Sequence, residues 1–149
     1  MEKNNSIQNA IRMERLFDAS PDLLWRTWTE PELVKLWFGS DPKGVVLSAE
    51  LDVHVGGQYR IAFQDSDGSR HCAKGEYLAV DKEKRLLCSW EWESEPGFIS
   101  ELEVWFLPDG AQTKLILEHR NLNPDSQHAY EYGWNGALDK MQNKLPTIK

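Results

Sequence analysis

From Val45 to His119 the apolar residues recur at every second position in six runs, and beyond Asn123 the spacing changes to three and four. A period of two belongs to strands with one wet face, and a period near 3.6 to a helix with one apolar stripe. Such a chain must build a sheet and lay a helix over its dry side. The first run alternates Val45, Leu47, Ala49, Leu51, Val53 and Val55 with Val46, Ser48, Glu50, Asp52 and His54. Gly56-Gly57 turns it into Tyr59, Ile61 and Phe63, and Asp65-Ser66-Asp67-Gly68 supplies the next turn. That DxDG resembles part of a calcium loop but lacks the later acidic ligand at the required spacing, so it reads as a plain turn.

The following hairpin permits a register to be worked out. With Asp81 to Lys84 as a four-residue loop and Val80 opposite Arg85, Ala79 faces Leu86, Tyr77 faces Cys88, Gly75 faces Trp90 and Ala73 faces Trp92. Small residues meet large ones, which places Leu86, Cys88, Trp90 and Trp92 on the buried face. Cys72 then lies on the face opposite Cys88, and no disulfide is expected. Leu102, Val104 and Phe106 form the inner side of a fifth run, and Leu115, Leu117 and His119 that of the sixth.

Ahead of these strands, Ile11, Met13, Leu16 and Phe17 read as another strand. Ser20-Pro21 is a helix start, and Pro31 restarts a second short helix that runs through Trp37-Phe38 to Gly39. At the other end Asn123-Pro124-Asp125 predicts the start of a long helix reaching Lys144. Its stripe is Tyr130, Trp134, Ala137, Leu138, Met141 and Leu145. About 20 helical residues span roughly 30 Å, enough to cross a whole sheet. The expected organisation is a flexible tail over residues 1–8 and one domain over 9–146, in the order β-α-α-β6-α.

Composition removes several functions. With 17 Lys plus Arg against 24 Asp plus Glu, the formal charge is −7, and neither nucleic acid nor an anionic membrane is an expected partner. No stretch has the apolar length of a membrane span or a signal peptide, so the expected location is the cytoplasm. Two cysteines without CxxC spacing give no zinc site, and no nucleophile elbow, phosphate loop or HExxH occurs. Neither a metal nor a cofactor is expected.

The segments FDASPDLLWRTWTEPELVKLWFG, DVHVGGQYR, GEYLAVDKEKRLLCSWEW, VWFLPDGAQTKLILEH and YGWNGALDKMQNKL, in that order, resemble the START-like helix-grip (SRPBCC) superfamily. Within it they are similar to the heat-shock-protein-90 ATPase activator homologues, at their C-terminal domain. His54 stands where that pattern usually carries arginine. The resemblance implies an α+β helix-grip fold, like that of the birch-pollen allergen: a curved antiparallel seven-stranded sheet wrapped around a long C-terminal helix. It also implies a cavity between sheet and helix, used across the superfamily for lipids, sterols, plant hormones and polyketides, and a link to stress response.

Parity and helical spacing direct Trp37, Tyr59, Phe63, Tyr77, Trp90, Trp92, Phe106, Tyr130 and Trp134 toward the interior. They either fill a core or line a pocket. Gly133 and Gly136 inside the last helix, each costing roughly 1 kcal/mol against alanine, favour a packing or access reason. Among the four histidines only His119 is assigned to the inner face, where it either orients a ligand oxygen or sits satisfied in the core. Trp90, opposite Gly75, has room above it for a ring. The leading expectation is a non-enzymatic domain binding a small hydrophobic or aromatic ligand, as a monomer or homodimer. A chaperone- or protein-binding module with a filled core and a cyclase or hydrolase using the same cavity are the alternatives.

Overall fold

The computed structural model describes residues 9–148; the tail expected over residues 1–8 lies outside the described residues. Strand β1 (Ile11–Phe17) leads into α1 (Pro21–Thr29), where Ser20 Oγ accepts the Leu23 N–H and Pro21 opens the first turn. Helix α2 (Pro31–Val34) is shorter than its apolar run suggested: after four residues the chain passes into turns, and Gly39 at φ +94° bends it back. Six strands follow: β2 (Val45–Leu51), β3 (Gln58–Gln64), β4 (Arg70–Asp81), β5 (Arg85–Trp92), β6 (Ser100–Asp109) and β7 (Gln112–Arg120). Helix α3 (Tyr130–Lys144) and a single turn at Leu145–Thr147 end the fold. The sheet is one curved, antiparallel layer of seven strands in the order β1-β7-β6-β5-β4-β3-β2, with β1 closing back onto β7. Among the described residues no helix is long and apolar enough to cross a membrane.

Strand parity holds for β3, β5, β6 and β7, whose Tyr59, Ile61, Phe63, Leu86, Cys88, Trp90, Trp92, Leu102, Val104, Phe106, Leu115 and Leu117 are all buried. It fails in β2. Val46 pairs with Phe63 but Ser48 with Ala62, so Leu47 is an extra residue in a bulge that reverses the faces. Val45 and Leu47, expected inside, are 56% and 47% exposed, and β2 ends at Leu51 rather than Val55.

The β4–β5 hairpin is also corrected near its turn. Its loop has three residues, with Glu83 at φ +64°, so Asp81 pairs with Arg85 and Val80 with Leu86. A bulge at Leu78 restores the expected register, which puts Tyr77 opposite Cys88 and Ala73 opposite Trp92. Cys72 and Cys88 are free thiols on opposite faces, Cys72 beside Arg60 and Glu93.

Helix α3 begins at Tyr130, five residues later than Asn123-Pro124-Asp125 predicted. Asn123 Oδ1 accepts the Asp125 N–H in a local turn, and the Glu95 carboxylate takes the Ser126 hydroxyl and the Gln127 N–H. Those donors are spent on the β5–β6 loop, so the segment lies as a loop across the end of the sheet. Trp134, Ala137, Leu138, Met141 and Leu145 bury the stripe, and Arg15 of β1 ties the outer side through Asp139 and Asn135.

The two helix glycines have different reasons. A Cβ at Gly136 would lie 2.5 Å from the Ser40 carbonyl oxygen, whereas one at Gly133 meets nothing within 4 Å. Gly133→Ala therefore stabilises the protein by about 0.5–1 kcal/mol through helix propensity. Gly136→Ala instead destabilises it by about 1–3 kcal/mol, since backbone must move. Chemical denaturation of the pair checks this; a stabilising Gly136→Ala contradicts the close approach.

Candidate functional site

The loop after α2 is clamped against both the sheet and the last helix. The Asp41 carboxylate accepts the Ser66 N–H and hydroxyl from the β3–β4 turn and the Lys43 N–H, and these donors hold its pKa down to about 2. From the helix side Lys140 Nζ donates to the Phe38 and Asp41 carbonyls. The clamped loop, the β3–β4 turn, β5 and the first turn of α3 enclose a cavity of about 240 Å³.

Its walls are Phe38, Phe63, Trp90, Trp92, Tyr130 and Trp134, with Gly39, Ser40, Gly133 and the loop residues Gln127 to Ala129 at the edges. His128 stacks on Trp92 at 3.7 Å between ring centres, and Trp92 Nε1 donates to the Tyr130 hydroxyl at 2.9 Å. These bonds fix the rings. The polar side is formed by His71, whose Nε2 donates to Asp65 Oδ2 at 3.0 Å, with the His128 ring edge-on at 5.3 Å. Among the described residues no lysine or arginine lines the cavity. Burial lowers the His128 pKa below the usual histidine value, which keeps its ring neutral near pH 7. Two side chains of the wall carry a buried nitrogen with no hydrogen-bond partner among the described residues: Trp90 Nε1 and His128 Nε2.

The ten residues assigned from sequence separate into groups. Phe63, Trp90, Trp92, Tyr130 and Trp134 line the cavity. Trp37, Tyr59 and Tyr77 border a second void of about 30 Å³, with Trp28 and again Trp90, large enough for one water. Phe106 lies in neither; it packs against Trp25 and Trp28. The room expected above Gly75 is filled by the protein itself, since a Cβ there would sit 2.7 Å from the Tyr59 ring.

His119 also lies in neither. It is fully buried, and both ring nitrogens are engaged. Trp134 Nε1, which can only donate, gives its hydrogen to Nδ1 at 3.1 Å; Nε2 therefore carries the proton and donates to Ser100 Oγ at 2.8 Å. Ser100 Oγ donates onward to the Trp90 carbonyl. Burial pushes the His119 pKa down to about 3, so the ring is neutral. It is a core histidine. The histidines at the cavity are His71 and His128. The sequence reading missed His71, although its parity with Ala73 two residues on was a signal for the inner face; in the structure it pairs across from Phe63. His128 gave no such signal, because no periodicity marks the loop that Glu95 holds.

The sequence was compared with known families and structures. A family model described as activator of Hsp90 ATPase homolog 1-like protein matches residues 18–145. No curated protein is similar in sequence. Solved structures share the fold. A protein from Nitrosomonas europaea superposes with a TM-score of 0.81 at 22% identity, over 96% of this chain and 97% of that one. The AHSA1 protein from Silicibacter pomeroyi gives 0.79 at 24% identity, over 93% and 98%. The AHSA1-like protein from Aeromonas hydrophila gives 0.75 at 19% identity, over 93% of this chain and 92% of that one.

The buried imidazole sets an acid limit on the fold. Its folded pKa of about 3 lies below the ordinary 6.5, so as pH falls below 6.5 the unfolded chain binds a proton that the folded chain refuses. At 1.36 kcal/mol per pKa unit, His119 makes the protein about 2 kcal/mol less stable at pH 5 than at pH 7. His119→Gln, which keeps one acceptor and one donor, removes that slope. Denaturant melts of both proteins across this range measure the difference; parallel curves contradict it.

Proposed function

The chain belongs to the family of activator of Hsp90 ATPase homolog 1-like proteins, and on that premise we propose that it binds one small, mostly apolar ring compound between α3 and strands β3 to β5. The observation that carries this reading is the cavity of about 240 Å³ walled by five fixed aromatic rings of the sequence-assigned set. A site with mostly apolar walls and a few convergent polar groups is the usual form of a small-molecule pocket. Its size narrows the ligand. An apolar cavity of about 150 Å³ accepts benzene, so this one suits a substituted ring or two fused rings, not a sterol. Gly133 supports the same reading, because a helix glycine with open space beside it keeps the cavity clear.

Binding without turnover is the primary reading. The Asp65–His71 pair on the cavity wall favours a second, acid–base conversion of the bound molecule. Recovery of the added compound unchanged after long incubation supports the first, and a new product the second.

Calorimetric titration with naphthalene is the direct test. The expected result is saturable one-to-one binding to the wild type that is lost in Gly133→Leu, whose side chain enters the open space. Trp37→Phe, at the separate void, leaves the affinity unchanged. Absence of saturable binding, or equal binding to Gly133→Leu, overturns the pocket.

A further inference from the structure

A second recess lies outside the ring-lined cavity, between the end of α3, the segment after α2 and the start of β2. It is a groove of about 410 Å³, more than twice the roughly 150 Å³ that holds benzene. Its floor is apolar, made by Leu36, Pro42, Val45 and Val46. The bulge at Leu47 leaves Val45 on the outer face, where it is 56% exposed. Three lysines, Lys35, Lys140 and Lys144, stand around that floor.

Such a gathering of cations is unexpected in a chain with 17 Lys plus Arg against 24 Asp plus Glu. Lys140 and Lys144 are four residues apart on one helix, where like charges repel. The negative end of the helix dipole accounts for Lys144 in the last turn but not for Lys35, which a different segment brings to the same place. Lys140 is the positioned member. Its Nζ donates to the Phe38 carbonyl at 3.2 Å and the Asp41 carbonyl at 3.0 Å, which take two of the three ammonium hydrogens and none of the charge. The neighbouring carboxylates are engaged elsewhere: Asp41 by Ser66 and the Lys43 N–H, and Asp65 by His71. Glu32 meets Lys35 at 3.4 Å through a side chain 84% exposed, an ion pair worth little in water.

We infer that this groove binds an amphiphile with one anionic head, a carboxylate or phosphate on a short alkyl chain. The head sits among the three ammonium groups, and the chain lies along Leu36 and Val45. Charge-assisted hydrogen bonds and cover for an exposed apolar floor then act on the two ends of one molecule. The site is separate from the cavity beside Gly133, so either stands without the other.

Nuclear magnetic resonance titration of isotope-labelled protein with octanoate, octyl phosphate, octanol and inorganic phosphate at neutral pH is the test. Amide shifts of Val45, Val46 and Lys144 report the groove, and that of Gly133 reports the cavity. Saturable binding of octanoate, of octyl phosphate or of both at the groove amides supports the inference and identifies the head. It is about tenfold or more tighter than that of octanol, the worth of hydrogen bonding to a charged group, and tighter than that of inorganic phosphate, which lacks the chain. Lys35→Gln combined with Lys144→Gln leaves the Lys140 clamp in place and weakens binding about three- to tenfold, while its denaturant melt stays at the wild-type position. Val45→Glu, at an exposed position, abolishes binding by placing a carboxylate in the groove, and Gly133→Leu leaves it unchanged. Octanol or inorganic phosphate binding as tightly as the amphiphiles, shifts confined to Gly133 and the cavity walls, undiminished binding to Val45→Glu, or no binding at all overturns the inference, whatever naphthalene does at the cavity.

Discussion

Trp134 Nε1, His119 and Ser100 form one hydrogen-bonded line that joins the last helix to β7, β6 and, through the Trp90 carbonyl, β5. The rest of the interior is arranged around it. A buried indole N–H needs an acceptor, and the neutral imidazole provides one only because Ser100 takes its other hydrogen. Protonating His119 would set two donors against each other at Trp134. With Trp134 fixed, Trp28 stacks on it at 5.8 Å, Phe38 meets it edge-on, and Phe38 stacks in turn on Trp90. The helix is thus held to the sheet by rigid rings with polar anchors.

Rigid rings explain why the interior is not filled. Flexible aliphatic chains would collapse into the gap above Trp92, but rings held by the Trp92–Tyr130 bond and the His128 stack cannot. The clamp of Asp41, Ser66 and Lys140 prevents closure from the side, and Gly133 leaves the helix face bare. The cavity follows from packing that cannot relax. Its polar edge follows from Glu95, which draws Ser126 and Gln127 out of the helix and so delivers His128 to the wall.

Most of the fold was legible because alternation, turn residues and small-against-large pairing agree over long stretches. Tyr77 opposite Cys88 and Ala73 opposite Trp92 came from such agreement. The misread places are those where one residue changes the count: the bulges at Leu47 and Leu78 leave no mark in a period-two pattern. At Asn123 a valid capping signal lost to a distant carboxylate, Glu95, which no local spacing discloses. The site was half legible. Phe63, Trp90, Trp92, Tyr130 and Trp134 could be placed by parity and stripe, but parity cannot separate a ring that lines a space from one that fills it, as Phe106 does. His119 drew attention as an inward histidine, yet its neighbours on β6 and α3 already satisfied it.

The central claim is that an open, ring-lined space beside Gly133 receives a small aromatic molecule. An isotope-filtered nuclear Overhauser experiment on labelled protein with unlabelled naphthol locates that molecule directly. The account predicts cross-peaks from naphthol to the ring protons of Trp90, Trp92 and Phe63 and to the α protons of Gly133, with none to Phe106 or Tyr77. Contacts confined to the exposed residues Phe98, Ile99 or Val45, or no contacts at all, would contradict it.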